Sequence, residues 1–150
     1  MKQRIGLLFF LLLVTAAGVG AQDRGFGLGV LLGEPTGVSF KQWLGGRSAL
    51  SGAAAWSFGH DDSFHVHCDY LIHDFKLIPL EGHTMAFTYG IGARLKNAHD
   101  VHVGVRIPVG VTYIFEDAPV DIFIELAPVF DLVPRTDLFF NGGIGVRYYF

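Results

Sequence analysis

The sequence predicts an all-β fold: an eight-stranded antiparallel up-and-down transmembrane β-barrel, preceded by a cleaved signal peptide. Three observations predict it. The chain begins with a short basic and apolar segment, about half of all residues are hydrophobic without a later apolar run of membrane-helix length, and eight segments alternate between apolar and small or polar residues. A membrane protein without apolar helices has one other option, a closed barrel that pairs every backbone group between strands.

The N-terminus has the pattern of a secretory signal peptide. Lys2 and Arg4 supply the positive charge, residues 5–14 are almost entirely apolar, and small residues follow before the expected cleavage site. The apolar core is about half of the roughly 20 residues that a bilayer span needs, which disfavours a retained anchor helix. The sequence therefore predicts a signal peptide over 1–21 and one exported domain over 22–150.

Charge and cysteine content exclude some classes of protein. The formal net charge is −3, and it becomes −5 once Lys2 and Arg4 are removed. No basic patch is present, so nucleic acid is not an expected partner. The single cysteine, Cys68, excludes an intramolecular disulfide.

The alternation is clearest over Leu138–Phe150. Successive strand residues point to opposite faces, and this segment has one apolar face and one face of small, polar or charged residues. The apolar face carries Leu138, Phe140, Gly142, Ile144, Val146, Tyr148 and Phe150. The same pattern recurs in the segments that begin at Phe26, Val38, Leu50, Phe64, Phe87, Val101 and Val120.

The second face decides which way the apolar face points. A soluble β-sandwich also alternates, but its outer face normally carries many charged and hydroxyl side chains. Here the second face is rich in glycine with few charges, as expected for the lumen of a narrow eight-stranded barrel that side chains fill. Aromatic residues near several strand ends are typical of the membrane–water interface: Trp43, Trp56, Phe58, Phe87, Tyr113, Phe115, Phe139, Tyr148, Tyr149 and Phe150.

One residue conflicts with this pattern. Pro108 lies inside the sixth segment, where it cannot donate to the strand ladder, and a closed barrel has no edge strand to accommodate it. We expect a local β-bulge at Pro108. Pro128, near the end of the seventh segment, poses a milder version of the same problem.

Several stretches resemble a family of small, uncharacterised outer-membrane barrels of spirochaetes and other diderm bacteria. They are 33–40, 68–71, 89–96, Arg106-Ile107-Pro108-Val109-Gly110 and 117–123. The terminal Gly-Ile-Gly-Val-Arg-Tyr-Tyr-Phe, which ends at Phe150, resembles the signal that the barrel-assembly machinery recognises. The architecture also resembles the OmpA-type membrane domain, although the long extracellular loops of that type are absent. The resemblance implies an outer-membrane location but no activity.

Inward charges provide the first candidate site. Glu125, Arg106 and Arg147 lie on the last three predicted strands and face inward, with Arg94 on the fifth. Because an isolated buried charge is costly, these residues must pair. We expect a lumenal ion-pair cluster centred on Glu125 that plugs the barrel. The alternative is a gated path for ions or protons.

A row of histidines provides the second. His65, His67, Asp69 and His73 share the inward face of the fourth segment, and neighbours on that face lie about 6.6 Å apart. His65 and His67, with Asp69, could share a divalent metal such as Zn²⁺ or Cu²⁺. Nothing in the sequence fixes a complete ligand set. Hydrogen-bonded histidines without a metal are therefore favoured, and no cofactor is expected.

An acyl hydrolase or transferase that modifies outer-membrane lipids is the enzymatic alternative. Ser63, next to Phe64 and close to His65, is the nearest approach of a serine and a histidine, but adjacent strand residues point apart. No Gly-x-Ser-x-Gly motif occurs. We expect a non-enzymatic integral protein of the bacterial outer membrane, with a structural or minor interaction role. Its partners would be membrane lipids and the assembly machinery, and a metal- or ligand-binding barrel is the further alternative.

Overall fold

The computed structural model describes residues 25–57 and 63–150. They form nine strands: β1 Phe26–Glu34, β2 Thr36–Gly45, β3 Ser48–Ser57, β4 Ser63–Asp74, β5 Thr84–Asn97, β6 Val101–Arg106, β7 Val109–Ile114, β8 Val120–Val133 and β9 Asp137–Tyr149. Within these ranges, no helix is long and apolar enough to cross a membrane. The expected signal peptide and residues 58–62 lie outside the described part of the chain.

The strands close into a ring. Every pairing is antiparallel, β1 pairs with β9, and β4 pairs with β5. β6 and β7 both lie between β5 and β8, so together they fill one position. The nine segments therefore make an eight-stranded antiparallel barrel, which confirms the predicted fold class. In such a ring each strand has a neighbour on both sides, which satisfies the backbone groups that an open sheet leaves unpaired.

The outward positions of the described strands are mostly apolar and carry no positive charge. Glu34 and Asp74, each at the end of a strand, are the two ionisable acids at these positions, and no Lys, Arg or His occurs there. Water-facing strand positions would carry charge in a soluble protein of this composition. Large exposed residues form a continuous apolar band around the barrel. They include Leu28, Val30, Leu32, Leu50, Val66, Tyr70, Ile91, Leu95, Val103, Ile122, Ile124, Leu126, Ile144 and Val146.

The polarity of the barrel is inverted relative to a soluble sandwich. Ile124 is 60% exposed and Val146 is 40% exposed, whereas Arg147 is 2% exposed. Few large apolar side chains are buried in the described interior: Leu31, Trp43, Leu71, Phe123 and Val129. A soluble sandwich would bury Ile124 and Val146 and expose Arg147.

Pro108 interrupts the strand without the bulge predicted there. Arg106 lies opposite Val129, and three residues later Val109 lies opposite Leu126, so the pairing register is continuous across the proline. The β-bulge lies further along the same strand pair. There, Val103 and Gly104 face residues 133 and 131 of β8, so residue 132 has no counterpart.

The proline is tolerated because each affected pair keeps one of its two hydrogen bonds. Gly90 N–H donates to the carbonyl of Pro108, and Ile107 N–H donates to the carbonyl of Pro128, both at 3.0 Å. A hydrogen-bonded antiparallel pair normally exchanges two such bonds. Pro108 cannot donate a hydrogen bond back to Gly90, and Pro128 cannot donate one back to Ile107. One bond is therefore lost on each side of the segment that contains Pro108.

Candidate functional site: the charged lumen

Inward-facing charged side chains occupy three levels of the barrel. We call the rim where β1 begins and β9 ends the terminal end. The terminal layer consists of Lys41, Asp121, Arg147 and Tyr149; the middle layer of His67, Asp69, Arg106 and Glu125; and the far layer of Arg94, His102 and Asp131. They come from β2, β4, β5, β6, β8 and β9, so the layers span the interior from several walls.

The terminal layer is built on Asp121, which is fully buried. Arg147 Nε donates to Asp121 Oδ1 at 3.0 Å, and Tyr149 donates its hydroxyl hydrogen to Oδ2 at 2.5 Å. Lys41 Nζ lies 3.5 Å from Oδ2. One carboxylate therefore serves two buried cations and a phenol, which gives this layer a formal charge of +1.

Aromatic rings pack against both cations of the terminal layer. The Arg147 guanidinium lies 3.8 Å from the centre of the Phe123 ring, and Lys41 Nζ lies 4.4 Å from that of Trp43. The prediction that Trp43 marks the membrane interface was wrong. Its side chain is 9% exposed and packs against His73, with ring centres 4.3 Å apart, because it shares the inward face with Lys41 two residues earlier.

The middle layer is organised by Arg106, which is 1% exposed. Its Nε donates to both carboxylate oxygens of Asp69, at 3.1 and 3.2 Å. Its second terminal nitrogen donates to Glu125 Oε1 at 2.6 Å. Two carboxylates and one guanidinium give this layer a formal charge of −1.

The far layer pairs Arg94 with Asp131. Arg94 Nη2 donates to Asp131 Oδ1 at 2.6 Å, and His102 Nδ1 lies 3.2 Å from Oδ2. Toward the far rim, Lys96 Nζ lies 6.0 Å from the centre of the Phe139 ring. This layer lies toward the end of the lumen opposite the termini.

The four residues predicted to form one cluster all lie in the lumen, but they do not share a centre. Glu125 contacts Arg106 and neither of the other arginines; Arg147 pairs with Asp121 and Arg94 with Asp131. The physical reason is that the three arginines lie at different levels along the barrel axis. Asp121 lies directly opposite Arg147 on the neighbouring strand, so each arginine takes the carboxylate at its own level.

Two carboxylates that organise the layers were given no pairing role by the sequence. By strand alternation Asp121 shares the inward face with Glu125, but nothing in the sequence indicates its partner. Asp131 lies beyond Pro128, near which the predicted seventh strand ends, whereas β8 continues to Val133. The inward parity of Asp131 with Asp121 was the signal that could have identified it.

The expectation that Ser63 and His65 point apart was wrong. They are two residues apart, share the inward face, and form a hydrogen bond of 2.9 Å between Ser63 Oγ and His65 Nε2. His65 Nδ1 has no hydrogen-bond partner in the described chain. The third group that orients the base in a hydrolase triad is therefore missing there. Both side chains are buried in the lumen, away from the lipid-facing surface.

The predicted metal set of His65, His67 and Asp69 is also revised. The ligand atoms that converge belong to His67, Asp69 and Glu125, and they lie within 4.8 Å of one another. Because His65 Nε2 is hydrogen-bonded to Ser63, His65 belongs to a separate contact. Glu125 joins the group from the opposite wall of the lumen.

A cavity of about 870 Å³ opens at the terminal end. Its lining includes the turn between β7 and β8 together with Trp43, Asp121 and Tyr149. The terminal layer therefore borders this cavity.

Glu125→Ala should destabilise the barrel by only about 1–3 kcal/mol. Arg106 loses one of its two carboxylates, yet Asp69 still pairs with it, and Glu125 is itself 16% exposed. The cost is that of a charge-assisted hydrogen bond and not that of a stranded charge. Unfolding in detergent with increasing guanidinium measures it, and a loss above that of Asp121→Asn (Discussion) would contradict the separation into layers.

The inverted polarity and the charged lumen define this chain as an eight-stranded barrel with the outer-membrane β-barrel fold. Solved structures of that fold resemble it over most of their length. The N-terminal β-barrel domain of Pseudomonas aeruginosa OprF matches with a TM-score of 0.59 at 14% identity, covering 83% of this chain and 95% of that one. Neisserial surface protein A (NspA) matches with a TM-score of 0.52 at 8% identity, covering 83% and 93%.

The comparisons by sequence add nothing to this. No family model matches the chain, and no curated protein matches it. The resemblance to the family of uncharacterised spirochaete-type barrels therefore stays a prediction. At identities of 14% and 8%, the structural matches establish the fold alone.

Proposed function

We propose that this protein is a non-enzymatic integral barrel of the bacterial outer membrane, with a structural or minor interaction role in the envelope and a lumen closed by its own side chains. One observation carries the proposal: the outward strand positions are mostly apolar, while every Lys, Arg and His of the described strands points inside. Such a surface is stable in hydrocarbon and unstable in water.

Two sequence features support the location. The basic and apolar start of the chain has the pattern of an export signal. The last strand, β9, is followed directly by Phe150, which is 78% exposed and whose N–H donates to the carbonyl of Phe26 at 3.0 Å. We infer that membrane lipids surround the barrel and that the assembly machinery engages this terminal strand.

The three layers argue for a closed lumen. Eight strands leave room for little more than side chains, and the aromatic ring of Phe123 fills the space over Gly145, where a Cβ would come within 2.3 Å of the ring. The inward Ser63–His65 pair faces this filled interior and not the acyl chains, so a lipid-modifying activity has no support from the geometry. Purified protein that released or transferred acyl chains would restore that alternative.

Membrane fractionation combined with gel mobility tests the proposal. We expect the mature chain in the outer-membrane fraction, resistant to urea extraction, with faster migration before heating than after. In planar bilayers it should give no steady conductance steps. Recovery in the soluble periplasmic fraction would refute the integral location, and regular conductance steps would refute the closed lumen.

Ile124→Arg should lower the free energy of unfolding by about 2–4 kcal/mol, because an arginine at mid-strand on the lipid-facing surface must enter hydrocarbon. Ile124 is 60% exposed in the ring. Leu77→Arg is the matched control, since Leu77 is 63% exposed in the loop between β4 and β5. Urea unfolding in lipid vesicles measures both variants. Equal stabilities would mean that Ile124 faces water.

A further inference from the structure

The middle layer contains a buried imidazole without a hydrogen bond. His67 is 5% exposed, and its Nδ1 has no partner in the described chain. Its Nε2 lies 3.9 Å from Asp69 Oδ2, beyond hydrogen-bond distance. Buried polar atoms normally have hydrogen-bond partners. An imidazole whose Nδ1 has no partner, and whose Nε2 is close to a carboxylate but not bonded to it, therefore indicates space for a further ligand.

We propose that His67, Asp69 and Glu125 form a transition-metal site, with Zn²⁺ as the ion that it takes. The ligand atoms, one imidazole nitrogen and two carboxylate oxygens, lie within 4.8 Å of one another. Zinc binds these donors at about 2.0–2.2 Å, so the ligand atoms would have to draw together to about 3.4 Å. The imidazole favours zinc over calcium or magnesium, which take oxygen ligands.

Charge and orientation both suit a cation. Asp69, Glu125 and Arg106 leave the layer with one uncompensated negative charge. Arg106 contacts both carboxylates from one side through Asp69 Oδ1 and Oδ2 and Glu125 Oε1. In metal sites, hydrogen-bond donors that contact the carboxylate ligands but not the metal hold those ligands in position. Arg106, Arg94 and His65 lie near the site and oppose the binding of a cation, so they limit the affinity for zinc. Water or a small anion would supply the fourth ligand.

The site would be enclosed, so the metal must enter before the barrel closes. The experiment refolds the mature chain in detergent with Zn²⁺, removes free ion by desalting, and counts bound zinc by plasma mass spectrometry. Heat-modifiable gel mobility selects the folded fraction. We expect about one zinc per folded barrel in the wild type, and a loss of at least fivefold in His67→Gln and in Asp69→Asn.

His65→Ala is the matched control, because His65 lies on the same face of β4 but is bonded to Ser63. It should keep its zinc. Folded wild-type protein without zinc above the blank would overturn the proposal and leave an ordered water as the occupant. Zinc retained by His67→Gln would also overturn it, by placing the ion elsewhere. If His67→Gln does not fold, Asp69→Asn decides between the same two outcomes.

Discussion

Asp121→Asn should lower the free energy of unfolding by about 3–5 kcal/mol, one of the two largest effects expected of a single substitution in this chain. The change keeps the shape of the side chain but removes the charge that Lys41 and Arg147 share. Both cations would then remain in a lumen where Asp121 and Lys41 have no solvent exposure, and an uncompensated buried charge is expensive. Guanidinium unfolding in detergent, followed by tryptophan fluorescence, measures the loss.

Two further variants separate charge from packing. Asp117→Asn, in the exposed turn before β8, is the matched control and should change stability by less than about 0.5 kcal/mol. Adding Lys41→Met and Arg147→Met to Asp121→Asn should recover most of the loss, since a buried ion group can often be replaced by apolar residues. An unrecovered triple variant would show that the hydrogen-bond geometry, and not the charge, supplies the stability.

Arg106→Met should cost a similar amount, about 3–5 kcal/mol, for the opposite reason. It leaves Asp69 and Glu125 as neighbouring carboxylates without their shared guanidinium. Guanidinium unfolding in detergent with a chelator present, so that no metal substitutes for the lost cation, measures the loss.

The control for Arg106→Met uses two other residues of the middle layer. Asp69→Asn and Glu125→Gln, added to Arg106→Met, remove both stranded charges and should restore most of the stability. A single Arg106→Met that unfolds at the wild-type guanidinium concentration would mean that water reaches Asp69, in conflict with its 1% exposure.

The direction in which side chains point was predictable, whereas their partners were not. A two-residue alternation sets the face of every strand position, and it correctly placed Arg147 and Glu125 inside. Pairing depends in addition on the height of each residue along the barrel, which the register of the ring decides. Asp121 lies opposite Arg147 only because β8 and β9 pair in one particular register, and no single strand contains that information.

Other differences between prediction and structure arise where the type of a residue and its spacing along the strand indicate different positions. The aromatic character of Trp43 favours the membrane interface, although its spacing from Lys41 puts it inside. Pro128 suggests the end of a strand, which leaves Asp131 outside the predicted strand. Pro108 predicts a bulge, but the ring accommodates it with the loss of one hydrogen bond, to Gly90, and accommodates Pro128 with the loss of one to Ile107.

The terminal layer also bears on how the protein assembles. The Lys41–Asp121 ion pair joins β2 to β8, and the hydrogen bond from Arg147 to Ser51 joins β9 to β3. Both cross the junction where the first strand meets the last. Neither contact can form while β1 and β9 are apart. Pairing of these two strands therefore also brings Lys41 to Asp121 and Arg147 to Ser51, so buried polar contacts add to the stability of the closed ring.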